Sequence, residues 1–183
     1  PTGGECYAIF ADDNSTQRVV IASYNRIYFS SNGGTTFTNI YTNMGSGAAH
    51  VGGVFFDGTN IYIGSAKNLI VSTDNGASFT SYTLTGLPAG RGIMSFAGAK
   101  SGATTRFFIV SYDLVDIYPG VTGADYFSYK SIYKMDYAIG ASWVAATTGI
   151  SAGNHPFFVD MAENNIDIAY VAGANSSTSY PIV

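Results

Sequence analysis

The feature that most constrains how this chain can fold is a stretch that occurs twice. Residues 68–79 read Asn-Leu-Ile-Val-Ser-Thr-Asp-Asn-Gly-Ala-Ser-Phe and residues 26–37 read Arg-Ile-Tyr-Phe-Ser-Ser-Asn-Gly-Gly-Thr-Thr-Phe, so Ser30 and Ser72 lie 42 positions apart. Each copy is an apolar strand followed by Ser-x-[Asp/Asn]-x-Gly-x-[Ser/Thr]-Phe. Self-similarity at such a period signals an array of supersecondary units, each too small to bury its own apolar face. A chain of this kind folds by packing the units on one another.

The local chemistry of the repeat predicts a hairpin. Ile27, Tyr28 and Phe29, like Leu69, Ile70 and Val71, form a strand that enters a tight turn, where Asn32 or Asp74 accepts hydrogen bonds from the turn's own N–H groups. Gly34 and Gly76 supply the backbone freedom, Ser30 and Ser72 brace the hairpin, and Phe37 or Phe79 is placed for burial against a neighbouring unit. A third copy, Ile132 to Trp143, keeps Gly140-Ala141-Ser142-Trp143 but has Met135 where the serine belongs and one extra residue in the turn. The pattern resembles the Asp-box, the Ser-x-Asp-x-Gly-x-Thr-Trp hairpin of sialidases, family 74 xyloglucanases, sortilin-like receptors and related BNR-repeat propellers. The resemblance implies an all-β fold, a β-propeller of four-stranded antiparallel blades. The Asp-box is a structural device, so it speaks for architecture and little for chemistry.

Alternating apolar residues and turn clusters divide the chain into blades at approximately 4–42, 50–85, 91–147 and 155–183, the last incomplete. The third blade has strands at Ile93–Phe96, Arg106–Tyr112 and Ser131–Lys134, with a long interruption from Asp113 to Lys130. A blade without its outer strand exposes an unpaired edge. The expectation is therefore a larger propeller of six to eight blades, completed by missing polypeptide or by a second chain.

Charged residues make up 11% of the chain, so solubility rests on Gly, Ser, Thr, Asn and Tyr, a profile that suits a secreted, extracellular all-β protein. A formal charge of -4 with eight scattered Lys and Arg offers no basic face for nucleic acid. No apolar run reaches the length of a membrane span. The single cysteine, Cys6, reads as a small buried residue of the first strand. Asp12, Asp13, Asp57 and Asp160 fall in turns and read as braces rather than calcium ligands, and no motif for a metal, nucleotide or other cofactor appears.

Comparison between repeats locates a candidate site. The connections 45–50, 86–91 and 149–155 each carry Gly, then Ala three later, then a polar residue at five: His50, Arg91 and Asn154, with His155 adjacent and Glu5 as a looser equivalent in the first blade. In a propeller these connections share one end of the central channel, so Glu5, His50, Arg91, Asn154 and His155 are expected either to ring a funnel for a polar ligand or to cap strand starts. The same end receives the 113–130 loop, with Asp113, Asp116, Asp125, Tyr118, Tyr126, Phe127 and Tyr129. Aromatic faces stack on sugar rings and carboxylates accept bonds from hydroxyls, so the loop suits a polysaccharide or glycan. Asp113, Asp116 and Asp125 are the candidate carboxylates should the chain be a glycoside hydrolase, whose acid and base or nucleophile flank the scissile bond. The other reading of the loop is an insertion whose aromatics bury one another. At the level of function the alternative is a non-catalytic protein-interaction or adhesion scaffold. The Arg-Ile-Pro stretch of sialidases and the Asp-Ile-Gly-Gly segment of family 74 enzymes are both absent from these residues.

Overall fold

The structure is a computed structural model that describes residues 6–43, 49–114, 129–150, 154–162, 164–175 and 178–182. Its elements are fifteen strands in four antiparallel sheets. The first sheet runs β1 (Cys6–Asp12), β2 (Ser15–Ser23), β3 (Arg26–Ser30) and β4 (Thr38–Thr42), and the second β5 (Val51–Asp57), β6 (Asn60–Ser65), β7 (Asn68–Ser72) and β8 (Thr80–Thr83). The third holds β9 (Arg91–Ser101), β10 (Thr104–Asp113), β11 (Tyr129–Asp136) and β12 (Val144–Ala145), and the fourth β13 (Asn154–Met161), β14 (Ala169–Asn175) and β15 (Thr178–Ile182). Within each sheet, strands pair in chain order, as consecutive hairpins dictate.

The first strands of successive sheets lie side by side: β1 contacts β5, β5 contacts β9, and β9 contacts β13. Glycine permits the closest approach. A Cβ on Gly64 would stand 2.5 Å from Phe96 Cβ. Ser95 of β9 bridges to β13 through its Oγ, which accepts from Val159 N at 3.1 Å. Facing sheets bury separate apolar layers: Val20, Ala22, Ile27 and Phe29 against Val51, Ile61 and Ile63; then Tyr62, Leu69 and Val71 against Phe96, Phe107 and Trp143; then Val110 and Ile132 against Val159. Four-stranded sheets arranged radially, inner strands together and faces packed in sequence, form a β-propeller.

Two expectations change. β9 extends well beyond 93–96 and β10 slightly beyond 106–112, because both strands stay paired down to the Ser101–Thr104 turn. Cys6 is exposed rather than buried, since it opens the innermost strand at a point where no layer covers it.

The repeated hairpins are closed by their own side chains. Ser72 Oγ accepts from Gly76 N at 2.8 Å and donates to Asp74 Oδ1 at 2.8 Å, while Asp74 Oδ1 accepts from Ser78 N at 2.9 Å. In the first sheet, Ser30 Oγ accepts from Gly34 N and Asn32 Oδ1 accepts from Thr36 N, both at 2.9 Å. Asparagine thus supplies the same acceptor as aspartate. Gly34 and Gly76 both have φ of 84°. In the third hairpin Gly140 again has positive φ, but Met135 is buried in the apolar layer and the turn is held by Ala141 N donating to Ala138 O at 3.0 Å.

Hydrogen bonds from the Ser78 hydroxyl, the Ser78 N–H and Ser72 hold the Asp74 carboxyl down at about 2. Because that value is depressed, the carboxylate's contribution is present above its ordinary range near pH 4 and is lost as pH falls through about 2. Asp74→Asn is expected to keep the hairpin at neutral pH, as Asn32 does, and to erase this acid step. The Ser78 amide chemical shift followed from pH 6 to pH 1.5 checks both statements.

Candidate functional site

β5, β9 and β13 each begin at one end of the propeller, so His50, Arg91 and Asn154 share that end. They do not form one open ring. His50 sits where three sheets meet. Its ring stacks on Tyr7 of the first sheet, centroids 6.3 Å apart and planes at 3°, and meets Tyr112 of the third edge-on at 6.1 Å. Its Nε2 lies 2.8 Å from Met94 O, and since a carbonyl only accepts, Nε2 carries the proton and donates. Tyr7 completes the junction by donating to Ala49 O at 2.6 Å. His50 Nδ1 is buried with no hydrogen-bond partner among the described residues.

This enclosure lowers the His50 pKa, with desolvation the main cause and the bond to Met94 opposing it. The unfolded chain then binds more protons than the folded one just below the ordinary value of about 6.5, so stability is full above that pH and declines as pH falls through the lowered value. The urea midpoint is expected to drop between pH 7.5 and pH 5, and to drop less in His50→Gln. Equal slopes in the two proteins would contradict the assignment.

Arg91 behaves differently. It opens β9 opposite Asp113 of β10, and its Nη1 lies 3.1 Å from Asp113 Oδ1, while Lys130 Nζ of β11 lies 3.3 Å from Asp113 Oδ2. The three side chains are 24%, 32% and 35% exposed, in the order Arg91, Asp113, Lys130. Asp113 therefore has a cation on each oxygen, which ties both to its own sheet. The pairing also fixes where the long insertion leaves and returns: the chain departs after Leu114, whose N donates to Gly90 O at 2.8 Å, and rejoins the sheet at Tyr129, which pairs with Tyr112.

Asn154 and His155 open β13, and Asn154 lines a cleft between the third and fourth sheets. Glu5, Asp116, Tyr118, Asp125 and Tyr126 lie outside the described residues, and for Tyr129 only the backbone position is described. Tyr7, Tyr112 and Lys130 are members of this end that the sequence reasoning missed. No spacing signal marks them, because each comes from a different sheet or strand and meets the others only in three dimensions.

At the opposite end, of the aspartates expected to brace turns, Asp12 does so and reaches further, while Asp57 is tied to another sheet instead. Asp12 accepts from Asn14 N at 2.9 Å and pairs with Arg18 through both Nε and Nη2; Arg18 Nη1 then crosses to the second sheet, donating to Gly58 O at 2.5 Å and Asn75 Oδ1 at 2.9 Å. Lys100 of the third sheet reaches Asp57 of the second at 2.8 Å. Arg106 joins Asp136 of its own sheet to Asp167 beside the fourth, at 2.5 and 3.0 Å. Asp160 accepts from Met161 N at 2.8 Å. Among the described residues there is no grouping of His, Cys, Asp and Glu that could hold a metal ion, and no helix long and apolar enough to cross a membrane.

The fold and this arrangement of inner-strand ends define the class: a β-propeller. No protein-family model matches the chain, and no curated protein matches it. Among solved structures, an ancestral GH74 enzyme is similar over 97% of this chain with a TM-score of 0.69 at 13% sequence identity. The chain spans 25% of the length of that enzyme. At that identity the likeness concerns the fold alone. Two structures of YCF48 are similar at lower scores: YCF48 bound to D1 peptide, TM-score 0.42 and 10% identity over 89% of this chain and 48% of that one, and YCF48 from Cyanidioschyzon merolae, TM-score 0.43 and 9% identity over 94% and 65%.

Proposed function

We propose that this is a secreted carbohydrate-binding propeller of the Asp-box type, within a larger ring, which receives a polysaccharide or glycan at the end where Arg91, Lys130 and Asn154 stand. The observation that carries the reading is the Arg91–Asp113–Lys130 cluster, which roots the insertion rich in Tyr and Asp beside the starts of the inner strands. Partly exposed guanidinium, ammonium and amide groups offer donors to sugar hydroxyls, and Tyr118 and Tyr126 supply apolar faces for sugar rings. Nucleic acid and cofactors have no part in this reading. The GH74 likeness supports a propeller scaffold on which glycoside hydrolysis is known, and hydrolysis here rests on Asp116 and Asp125, since Asp113 has both oxygens engaged.

A non-catalytic interaction or adhesion scaffold is favoured by one specific finding: Asp113 and His50, two of the titratable groups at this end, are both committed to internal contacts. A glycan array followed by assay of reducing-end release separates the readings. Binding with release makes the protein a hydrolase, binding alone a lectin-like module, and neither assigns it to protein partners. Arg91→Ala is expected to weaken glycan binding at least tenfold while lowering the melting temperature by only about 2–4 °C, since the ion pair it breaks is part-exposed and screened by solvent. An unchanged affinity removes Arg91 from the site.

A further inference from the structure

The third hairpin departs from the other two at the residues on which those two depend. Ser72 and Asp74, like Ser30 and Asn32, close their turns with side-chain hydrogen bonds. Met135 and Tyr137 stand at those two places in the third copy, and one further residue lengthens the turn. Neither side chain braces the turn, which rests on the bond from Ala141 N to Ala138 O. Both instead line a cavity of about 80 Å³ between the second and third sheets. Its floor is the buried trio Leu69, Met135 and Trp143, and its rim carries the half-buried Tyr82 and Tyr137 and the exposed Thr85. Ile139, at the tip of the lengthened turn, is 81% exposed beside the mouth, and no charged residue lines the space. The second and third sheets each have their four strands, so the cavity comes from the change within the repeat. A local rule broken inside a repeat points to function rather than to folding.

We infer that this cavity receives the acetamido group of an N-acetylhexosamine. An apolar cavity of about 150 Å³ takes a benzene molecule. The 80 Å³ here therefore suits a group the size of an acetamide and leaves the hexose ring outside, against Ile139. The methyl group meets the apolar floor, and the amide needs hydrogen-bond partners at the rim, since a buried polar group is costly without them. Burial, with the neighbouring Tyr82 and Tyr62, pushes the Tyr137 hydroxyl up to about 12, so it keeps its proton at neutral pH and donates to Tyr82. The Tyr82 hydroxyl hydrogen then turns to the acetamido oxygen, while the Thr85 hydroxyl accepts from the acetamido N–H. Tyr137 is held in place by Tyr62, ring centroids 5.0 Å apart and planes at 69°, so the rim is set before the sugar arrives. An uncharged lining gives carboxylated and sulfated sugars no partner here. The pocket uses none of the residues of the Arg91 end and stands independently of polysaccharide binding there.

Trp143 is the only tryptophan of the chain and lines the pocket, so its emission reports occupancy there and not at the Arg91 end. The intact 183-residue chain is titrated with N,N′-diacetylchitobiose and, as the matched disaccharide without acetamido groups, with cellobiose. The expected result is a saturable change in Trp143 emission with diacetylchitobiose, and binding at least tenfold weaker with cellobiose. Tyr82→Phe keeps the ring and removes the donor, and is expected to weaken diacetylchitobiose about fivefold, the loss of one hydrogen bond, with the melting temperature unchanged. Should that variant melt early, Thr85→Val removes the acceptor at the exposed rim and is expected to have an effect of the same size. Absence of a saturable change, equal affinity for cellobiose, unchanged affinity in the rim variants, or tighter binding of an N-acetyl-lysine amide than of the sugar would each overturn the proposal.

Discussion

Replacing Arg18 with alanine is expected to lower stability by about 3–5 kcal/mol, the range for removing one partner of a buried ion pair. The side chains of Arg18 and Asp12 are 7% and 1% exposed, so the substitution leaves a carboxylate in the interior without its cation. It also releases Gly58 O and Asn75 Oδ1 of the second sheet and removes the guanidinium carbon that lies 5.4 Å from the Phe56 ring centroid. For a chain of this size the melting temperature should fall by about 10 °C. The double replacement Asp12→Leu with Arg18→Met is expected to recover most of the loss, because matched apolar groups avoid the unpaired charge. Urea denaturation of the three proteins checks this, and a double variant as unstable as the single one would show that the inter-sheet bonds, not the stranded carboxylate, carry the effect.

Trp143→Ala is expected to cost about 3–5 kcal/mol through the cavity it leaves between the second and third sheets. The ring is 4% exposed in a layer with Leu69, Val71 and Met135, and the backbone stays tied through Trp143 N donating to Thr85 O at 2.9 Å. Since Phe37 and Phe79 occupy the same place in the other two hairpins, Trp143→Phe should recover most of the stability. Circular dichroism at increasing urea measures both. As this is the only tryptophan of the chain, its fluorescence in the unmodified protein reports directly on that junction. An alanine variant within 1 kcal/mol of the parent would mean that the layer collapses around the gap.

The hairpins were legible because their bonds are short in sequence. Ser30 to Gly34, Asn32 to Thr36, Ser72 to Gly76 and Asp74 to Ser78 are all pairs four residues apart, so residue identity and spacing are sufficient to write them down. The apolar runs Val19 to Ser23 and Ile61 to Ser65, which match each other as the second strands of two blades, are local in the same sense. His50 shows where that reasoning stops. Its position in the connection pattern put it at the correct end of the propeller, yet whether it faced a ligand or filled a junction depended on Tyr7 and Tyr112, which lie in other sheets. Asp113 likewise read as a free carboxylate of a loop, and became the last residue of β10, held between Arg91 and Lys130.

The amino-acid sequence by itself determined the repeat, the hairpin turns, the order of strands and the placement of inner-strand starts at a common end, because each follows from backbone preference and hydrogen bonds within a few residues. Only the tertiary structure decided which polar groups remain available. Arg18 with Asn75, His50 with Met94 and Ser95 with Val159 are contacts 57, 44 and 64 residues apart, set by how one sheet rotates onto the next. That rotation comes from the packing of whole apolar layers, a property of no single residue, and it is what turns a candidate ligand into a keystone.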